Sequence, residues 1–186
     1  MTCVVGMAKD GIVYMGADKQ GSGSYGSICE RIDNKVFIKD KFIIGFTTSY
    51  RMGQLLKYKF EPPVDTRTEI MEYMVIDFIE EIRKIFKENG YSTVSNNEET
   101  GGVFLVGYKG RLFRIDNDYQ VGESSYYYDA VGSGQDIALG SICSLLSYGA
   151  KMTPQEILTT SLLSANRFNA YVGKESEILK LGYDNE

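Results

Sequence analysis

The sequence predicts an α+β protein in which antiparallel β-sheets are covered by helices on both sides. Two strand-like runs, 2–8 and 11–17, open the chain, and an Asp-Gly dipeptide of the kind that closes tight hairpins joins them. A second pair of strand-like runs follows at 35–39 and 41–48, and hairpins of this kind give antiparallel sheets. Two helical pairs come later, each with one apolar stripe, which favours one pair on each side of the sheets.

The first helical pair is predicted in the middle of the chain. A short helix in "SYRMGQLLKYKF" ends before Pro62 and Pro63, because proline cannot continue a helix. Thr66 and Glu69 have the spacing of a capping box, which predicts a long helix to about Asn89. Its apolar residues recur every three or four positions and form one expected core stripe: Ile70, Met74, Phe78, Ile82 and Ile85.

The second half of the chain predicts further strands and the second helical pair. The polar stretch 91–102 is expected to be a mobile surface loop, and strands are predicted in "GVFLVGY", "RLFRID" and "YYYDAVG". A tight turn at "GSG" leads into a helix that ends at Gly149. Thr153 and Glu156 on either side of Pro154 predict the cap of the last helix, and "EILKLGY" is the last predicted strand.

Length and composition limit the class of protein. The 186 residues, 43% hydrophobic and 24% charged, suit one globular domain with a sizeable core, so we expect a single domain over 1–186. The net charge of −5, with no basic run, argues against nucleic acid or an anionic membrane as the main partner. A strand that begins at residue 2 leaves no room for a leader, and no apolar run approaches the roughly 20 residues of a membrane span. We therefore expect a cytoplasmic protein.

Cysteine and histidine usage restricts the chemistry. Cys3, Cys29 and Cys143 are odd in number and far apart, so we expect buried thiols rather than disulfides or a metal site. The chain has no histidine, which excludes Ser-His-Asp and Cys-His sites and histidine-ligated zinc. An enzyme with this sequence must take protons with a carboxylate, a lysine, a tyrosine or an α-amine.

Four short motifs share an order and spacing with a known superfamily. Thr2 follows the initiator methionine, Asp18 ends the second strand in "GAD", Lys35 opens the third strand in "RIDNKVFI", and Ser133 lies in the "GSG" turn. Together they resemble the N-terminal nucleophile hydrolases, specifically proteasome β-subunits and the HslV-type peptidase. The resemblance covers nearly the whole chain and implies a four-layer αββα sandwich, with two antiparallel sheets between helical layers.

The resemblance implies a role for each of these residues. Thr2 would become the nucleophile once Met1 is removed, and its own α-amine, with a reference pKa of about 7.7–8.0, would take the hydroxyl proton. A buried Lys35 ammonium would favour the alkoxide, Asp18 would keep that ammonium charged, and Ser133 would orient the amine. The residues alone leave alternatives open: Thr2 as a strand residue, Asp18 as a surface residue, Lys35 as an edge-strand lysine, and Ser133 as a helix cap.

The loop "IIGFTTSY" resembles the family loop whose backbone binds the oxyanion. It places Thr48 at the donor position, where only the backbone N–H is needed. Gly21 and Ser22 would line the opposite wall, where an extended peptide adds as a strand. Phe46 and Tyr50 are candidates for the side-chain pocket, and core packing is an equal alternative for Phe46.

Two departures leave other functions open. Proteasomal β-subunits carry an Asp-x-x-Ser-Gly string, of which "FNAYVGK" keeps only the glycine, Gly173. The HslV type also lacks this string. In addition, a retained Met1 would acylate the amine of Thr2. A non-catalytic member that uses the fold as a structural or interaction module is therefore an alternative, with the tyrosines at 126–128 as an interface patch. A related hydrolase of small amides would have the same machinery.

The sequence thus predicts a threonine peptidase that acts on peptides or unfolded proteins once Met1 is removed. The resemblance implies a homo-oligomer, a ring or a related assembly, and an ATP-driven unfoldase as a candidate partner. The chemistry needs no metal and no organic cofactor.

Overall fold

A computed structural model of the chain describes residues 2–23 and 27–183. The first half contains β1 (Cys3–Lys9), β2 (Ile12–Asp18), β3 (Gln20–Ser22), β4 (Ile28–Glu30), β5 (Val36–Lys39), β6 (Phe42–Phe46) and α1 (Tyr50–Tyr58). A long helix, α2, follows as three consecutive segments, Ile70–Glu72, Tyr73–Phe78 and Ile79–Glu88. The second half contains β7 (Thr93–Ser95), β8 (Glu98–Thr100), β9 (Phe104–Tyr108), β10 (Arg111–Ile115), β11 (Val121–Glu123), β12 (Tyr128–Gly132), α3 (Gln135–Ser147), α4 (Pro154–Phe168) and β13 (Ser176–Gly182).

The longer strands form two antiparallel sheets. One has the order β12-β1-β2-β13 and the other the order β11-β10-β9-β6-β5. The remaining strands of the described residues form two short pairs, β3 with β4 and β7 with β8. The antiparallel pairing expected from the hairpins is therefore confirmed.

Three buried clusters show how the layers stack. Because successive side chains of a strand point to opposite faces, Cys3 and Val5 of β1 pack with α3 and α4, whereas Val4 packs with Ile43 and Leu105 of the other sheet. The outer face of that second sheet packs against α1 and α2. The layers follow the order helices, sheet, sheet, helices, which confirms the predicted four-layer αββα sandwich.

The tight turns of the hairpins lie at one end of the sandwich. Asp10 and Gly11 join β1 to β2 with φ values of 52° and 74°, the conformation for which Asp-Gly is favoured. Since β1 and β2 turn there, the start of β1 and the end of β2 lie together at the opposite end, where Val4 pairs with Ala17. This opposite end carries the candidate site.

The long helix differs from its predicted form in two ways. It begins at Ile70, and the Glu69 side chain does not cap it, so the capping box predicted at Thr66 and Glu69 is wrong. Its middle segment is a π-helix, which shifts the phase of the buried face. The buried face therefore includes the predicted Met74, Phe78, Ile82 and Ile85 and adds Tyr73, Ile79 and Phe86, while Ile70 is only partly buried.

The polar stretch 91–102 also differs from its prediction. It contains the β7–β8 hairpin, which turns at Asn96 and Asn97 with φ values of 51° and 67°. The three residues of β7 are exposed and those of β8 are at most half-buried, so this hairpin carries no pattern of alternating apolar residues. The short strands β3, β4 and β11 were likewise not predicted.

Two expectations concern the chain as a whole. The single domain over 1–186 stays a prediction. Within the described ranges 2–23 and 27–183, the helices are too short or too polar to cross a membrane.

Candidate active site

The predicted residues Thr2, Asp18 and Lys35 meet at the open end of the first hairpin. Thr2 immediately precedes β1, Asp18 is the last residue of β2, and Lys35 immediately precedes β5 in the second sheet. All three are buried, with exposed fractions of 3%, 1% and 4%. Three polar groups at this depth are costly to bury unless they satisfy one another. The surface-residue alternative for Asp18 is thereby excluded. Lys35 does precede an edge strand, but its side chain is buried in the site.

The Asp18 carboxylate accepts five hydrogen bonds. Its Oδ1 accepts from the Thr2 hydroxyl and from the backbone N–H of Cys3 at 2.9 Å. Its Oδ2 accepts from the backbone N–H groups of Gln20 and Gly173 and from Lys35 Nζ, each at 3.0 Å. A carboxylate accepts through both oxygens when it is ionised, so this donor set suits the charged form.

The Lys35 ammonium donates to three acceptors, which equals its number of N–H bonds. These acceptors are Asp18 Oδ2 at 3.0 Å, the backbone carbonyl of Gln20 at 2.6 Å, and the Thr2 hydroxyl oxygen. Burial lowers the pKa of Lys35 below its usual value, and the charge of Asp18 and its hydrogen bond oppose that change. The hydroxyl of Thr2 therefore lies between a buried cation and a buried anion.

Ser133 and its neighbours hold the backbone of Thr2. Ser133 Oγ donates to the Thr2 carbonyl at 3.2 Å, and the Gly134 N–H donates to the same oxygen at 3.4 Å. Gly132 has φ of 100°, and a Cβ there would lie 2.3 Å from the Thr2 carbonyl oxygen, so this turn requires glycine. The cap of α3 is Gly134 without a side-chain hydrogen bond, so Ser133 is not the helix cap that the sequence left open.

Two supporting residues were not assigned a role from the sequence. The Gly173 N–H donates to Asp18, and Asn169 Nδ2 donates to the Ser133 carbonyl at 2.6 Å. Both lie in "FNAYVGK", the counterpart of the reduced Asp-x-x-Ser-Gly string. Asn169 is 36 residues from its partner Ser133, and Gly173 is 155 residues from its partner Asp18. At these separations neither contact was visible in the sequence, and the retained glycine was the one signal that this segment belongs to the site.

A small cavity of about 80 Å³ has Thr2 in its wall. It is lined by Thr2, Ser22, Lys35, Phe46, Thr47, Thr48, Ser49 and Tyr50. Five of the predicted site residues besides Thr2 are therefore brought to one cavity: Ser22, Lys35, Phe46, Thr48 and Tyr50. Gly21 lies next to it on β3, where it pairs with Cys29, but it is not part of the wall.

The aromatic wall of the cavity belongs to the core as well. Phe46 packs over Gly53, where a Cβ would come within 2.2 Å of the ring, and meets Tyr50 edge to face at 5.8 Å between centroids. Phe46 thus packs in the core and also lines the cavity, and its part in a substrate pocket stays a prediction. The Arg31 guanidinium lies 4.0 Å from the centroid of the Tyr50 ring, and burial raises the pKa of Tyr50 to about 12.

The three cysteines differ in environment. Cys3 is buried beside the site, and burial, followed by the nearby charge of Asp18, raises its pKa to about 12. Such a thiol is almost entirely protonated at neutral pH and is a poor nucleophile. Cys29 and Cys143 are exposed, so the expectation of buried thiols is wrong for these two. Within the described part of the chain, no group of three or more acidic or cysteine side chains is placed to hold a metal ion.

Comparisons with known proteins identify the fold. No model of a protein family matches the chain, and no curated protein matches its sequence. Among solved structures, BPH from Thiobacillus denitrificans in complex with epoxomicin has a TM-score of 0.80 at 18% identity, covering 99% of this chain and 100% of that one. Eukaryotic HslV from Trypanosoma brucei has a TM-score of 0.69 at 15% identity, covering 97% and 99%. Anbu (ancestral beta-subunit) from Yersinia bercovieri has 0.66 at 16%, covering 97% and 82%.

These identities are low, and the likeness is one of fold. The likeness to BPH, HslV and Anbu confirms the fold that the short motifs implied.

Proposed function

We propose that this protein is an N-terminal threonine peptidase whose nucleophile is Thr2, freed by removal of Met1. The observation that carries the proposal is the pairing of the Thr2 hydroxyl with both Lys35 and Asp18, in a residue that lines a cavity. Buried charges that converge on one hydroxyl are typical of an activated nucleophile. Met1 itself lies outside the described residues.

The proposed reaction begins with attack by Thr2 Oγ1 on the carbonyl carbon of a peptide bond. The hydroxyl proton passes to the α-amine of Thr2, and the negative charge that forms on the carbonyl oxygen is bound by the Thr48 N–H. Collapse of the tetrahedral intermediate breaks the C–N bond, and the leaving amine takes the proton from the α-amine. Water then hydrolyses the acyl ester on Thr2 and restores the free hydroxyl. Ser133 and Lys35 hold the backbone and the hydroxyl in place.

The hydrogen-bond pattern favours the α-amine as the proton acceptor. Lys35 already donates through all three N–H bonds, and Asp18, which accepts from the Thr2 hydroxyl, also accepts four other hydrogen bonds and is the counter-ion of Lys35. The nitrogen of Thr2 is a non-basic amide while Met1 is attached and becomes a base when Met1 is removed. Removal of Met1 is therefore the step that would switch the site on.

The proposed substrate is a peptide or an unfolded protein in an extended conformation. One substrate side chain would enter the cavity, and the strand β3, with Gly21 and Ser22, would pair with the substrate backbone. Since BPH is described in complex with epoxomicin, we propose that this cavity admits an epoxyketone as well. We further expect a cytoplasmic homo-oligomer, as a ring or a related assembly, with an ATP-driven unfoldase as a candidate partner.

Labelling with an epoxyketone tests the proposed function. We expect intact-mass spectrometry to show one inhibitor added per chain and peptide mapping to place it on Thr2. Thr2→Ala should abolish the adduct because the nucleophilic oxygen is gone, whereas Thr2→Ser, the matched control, keeps a hydroxyl and should retain labelling. Size-exclusion chromatography of the three proteins should show the same assembly.

Two outcomes would overturn the proposal. An adduct that persists in Thr2→Ala would place the nucleophile elsewhere. A chain that keeps Met1, takes no label and cleaves no peptide would instead support a structural or interaction module built on the same fold.

A further inference from the structure

The loop that would bind the oxyanion contains an unusual backbone conformation. Thr48 has φ of 52°, in the left-handed region that favours glycine and disfavours β-branched side chains. This conformation is unfavourable for a residue with a Cβ, so other contacts must hold Thr48 there. Strained positions of this kind concentrate at functional sites.

The contacts that hold Thr48 converge on Val103, the residue before β9. The Val103 N–H donates to Thr48 Oγ1 at 3.0 Å. The Val103 carbonyl accepts from Thr47 Oγ1 at 3.0 Å and from the Thr47 N–H at 3.1 Å. Two adjacent hydroxyls, 3.3 Å apart, thus engage both polar backbone groups of one residue. We call this group of Thr47, Thr48 and Val103 the threonine clasp.

The clasp determines which backbone N–H of the loop is left to bind substrate. The Thr47 N–H is bonded to Val103, and the Ser49 N–H donates to the Thr47 carbonyl at 2.5 Å. Among the described residues, the Thr48 N–H has no acceptor, although Thr48 lines the same cavity as Thr2. Within residues 47–49, the Thr48 N–H is therefore the amide donor left free at this cavity. The Tyr50 N–H, at the first residue of α1, also has no acceptor among the described residues and lies at the same cavity.

We propose that the side-chain hydroxyls of Thr47 and Thr48 are positioning groups of the reaction. They act through the backbone of Val103 to keep Thr48 in its left-handed conformation, with its N–H available to the oxyanion. A glycine would reach this conformation without help, and a threonine reaches it because its own hydroxyl is bonded. This inference rests on the proposed function, since the oxyanion forms only if Thr2 attacks a carbonyl.

Paired substitutions of Thr48 test the positioning role. Thr48→Ser keeps the accepting oxygen and should retain kcat within about twofold of the unsubstituted protein. Thr48→Val keeps the shape but loses the oxygen, and kcat should fall about 10-fold or more, less than the 10²–10³-fold cost of removing an oxyanion donor. KM should change little, because the interaction is strongest in the transition state. Thr100→Val, the control, removes a hydroxyl whose hydrogen bonds to Thr93 are 3.4 and 3.5 Å long, and should behave as unsubstituted protein.

Hydrogen exchange gives a readout that does not depend on turnover. The amide of Val103 should exchange slowly in the unsubstituted protein and in Thr48→Ser, and faster in Thr48→Val. Equal kcat or equal Val103 exchange in Thr48→Ser and Thr48→Val would overturn the clasp. Failure of the proposed function would give a different result, because the unsubstituted protein itself would show no turnover and no adduct on Thr2. In that case the positioning role would also be wrong, even if the exchange of the Val103 amide followed the expected pattern.

Discussion

Replacing Asp18 by asparagine is expected to lower the free energy of unfolding by about 3–5 kcal/mol, the cost of breaking a buried ion pair from one side. Asp18 is 1% exposed and accepts hydrogen bonds from three backbone N–H groups, the Thr2 hydroxyl and Lys35. An amide has one accepting oxygen, and its NH₂ group would face donors. The Lys35 ammonium would then lose its counter-ion inside the protein, where an uncompensated charge is costly.

Chemical denaturation of Asp18→Asn and a matched variant measures this effect. The control is Asp33→Asn, because Asp33 pairs with Arg31 at 2.6 Å with side chains 41% and 37% exposed. An exposed ion pair contributes about 0–1 kcal/mol, so this control should remain close to the unsubstituted protein. Equal losses in the two variants would mean that Asp18 is not the buried centre of the site.

Replacing Lys35 by methionine is expected to lower turnover by about 10²–10³-fold or more, the range seen when a preorganised donor to developing charge is removed. Methionine fills a similar space without a charge, so the Thr2 oxygen would lose the cation that favours its alkoxide. The loss of stability should be smaller than for Asp18→Asn, because Asp18 would keep four of its five donors.

Lys41→Met is the matched control for Lys35, since Lys41 is exposed at the opposite end of the sandwich, beside the β5–β6 turn. We would measure the rate of peptide cleavage and the unfolding curve of each variant. The two measurements together distinguish a loss of catalytic activity from a loss of stability. A Lys35→Met protein that cleaves at the rate of Lys41→Met would remove Lys35 from the mechanism.

The core of the candidate site was predictable because it depends on local signals. The Asp-Gly turn at residues 10–11 sets the register of the first hairpin, and that register alone brings the start of β1 to the end of β2. Lys35 precedes β5 of the other sheet, so its place beside Thr2 depends on how the two sheets stack, and it was expected from the family resemblance. The absence of histidine then pointed to a base other than imidazole.

Some predictions failed where contacts formed in the folded chain override the local signal. Asp65 is held by Tyr108 and Lys109, and its Oδ1 accepts from the Arg67 N–H at 3.0 Å. Glu69 itself has an extended backbone conformation, with φ of −103° and ψ of 124°, and the local capping box does not form. The roles of Asn169 and Gly173 were hidden for the same reason, because their partners are distant in sequence.

Two further features have no signature in a single sequence. The π-helical segment of α2 changes which apolar residues face the core, whereas the periodicity assumes an unbroken α-helix. The left-handed conformation of Thr48 depends on Val103, 55 residues away. From the sequence, Thr48 was expected to continue the strand 41–48, because threonine favours extended strands. The hydrogen bond from Val103 that holds it in the left-handed conformation exists only in the folded chain.

The intact mass of the natively expressed protein tests the central claim most directly. Methionine ahead of a small residue is normally removed, and the proposed mechanism requires the free amine of Thr2. We predict a mass lower than that of the full sequence by one methionine residue, with an epoxyketone adding to that shortened chain alone. A protein that keeps Met1 in full would have no α-amine at Thr2, and that result would contradict the assignment of this chain as a threonine peptidase.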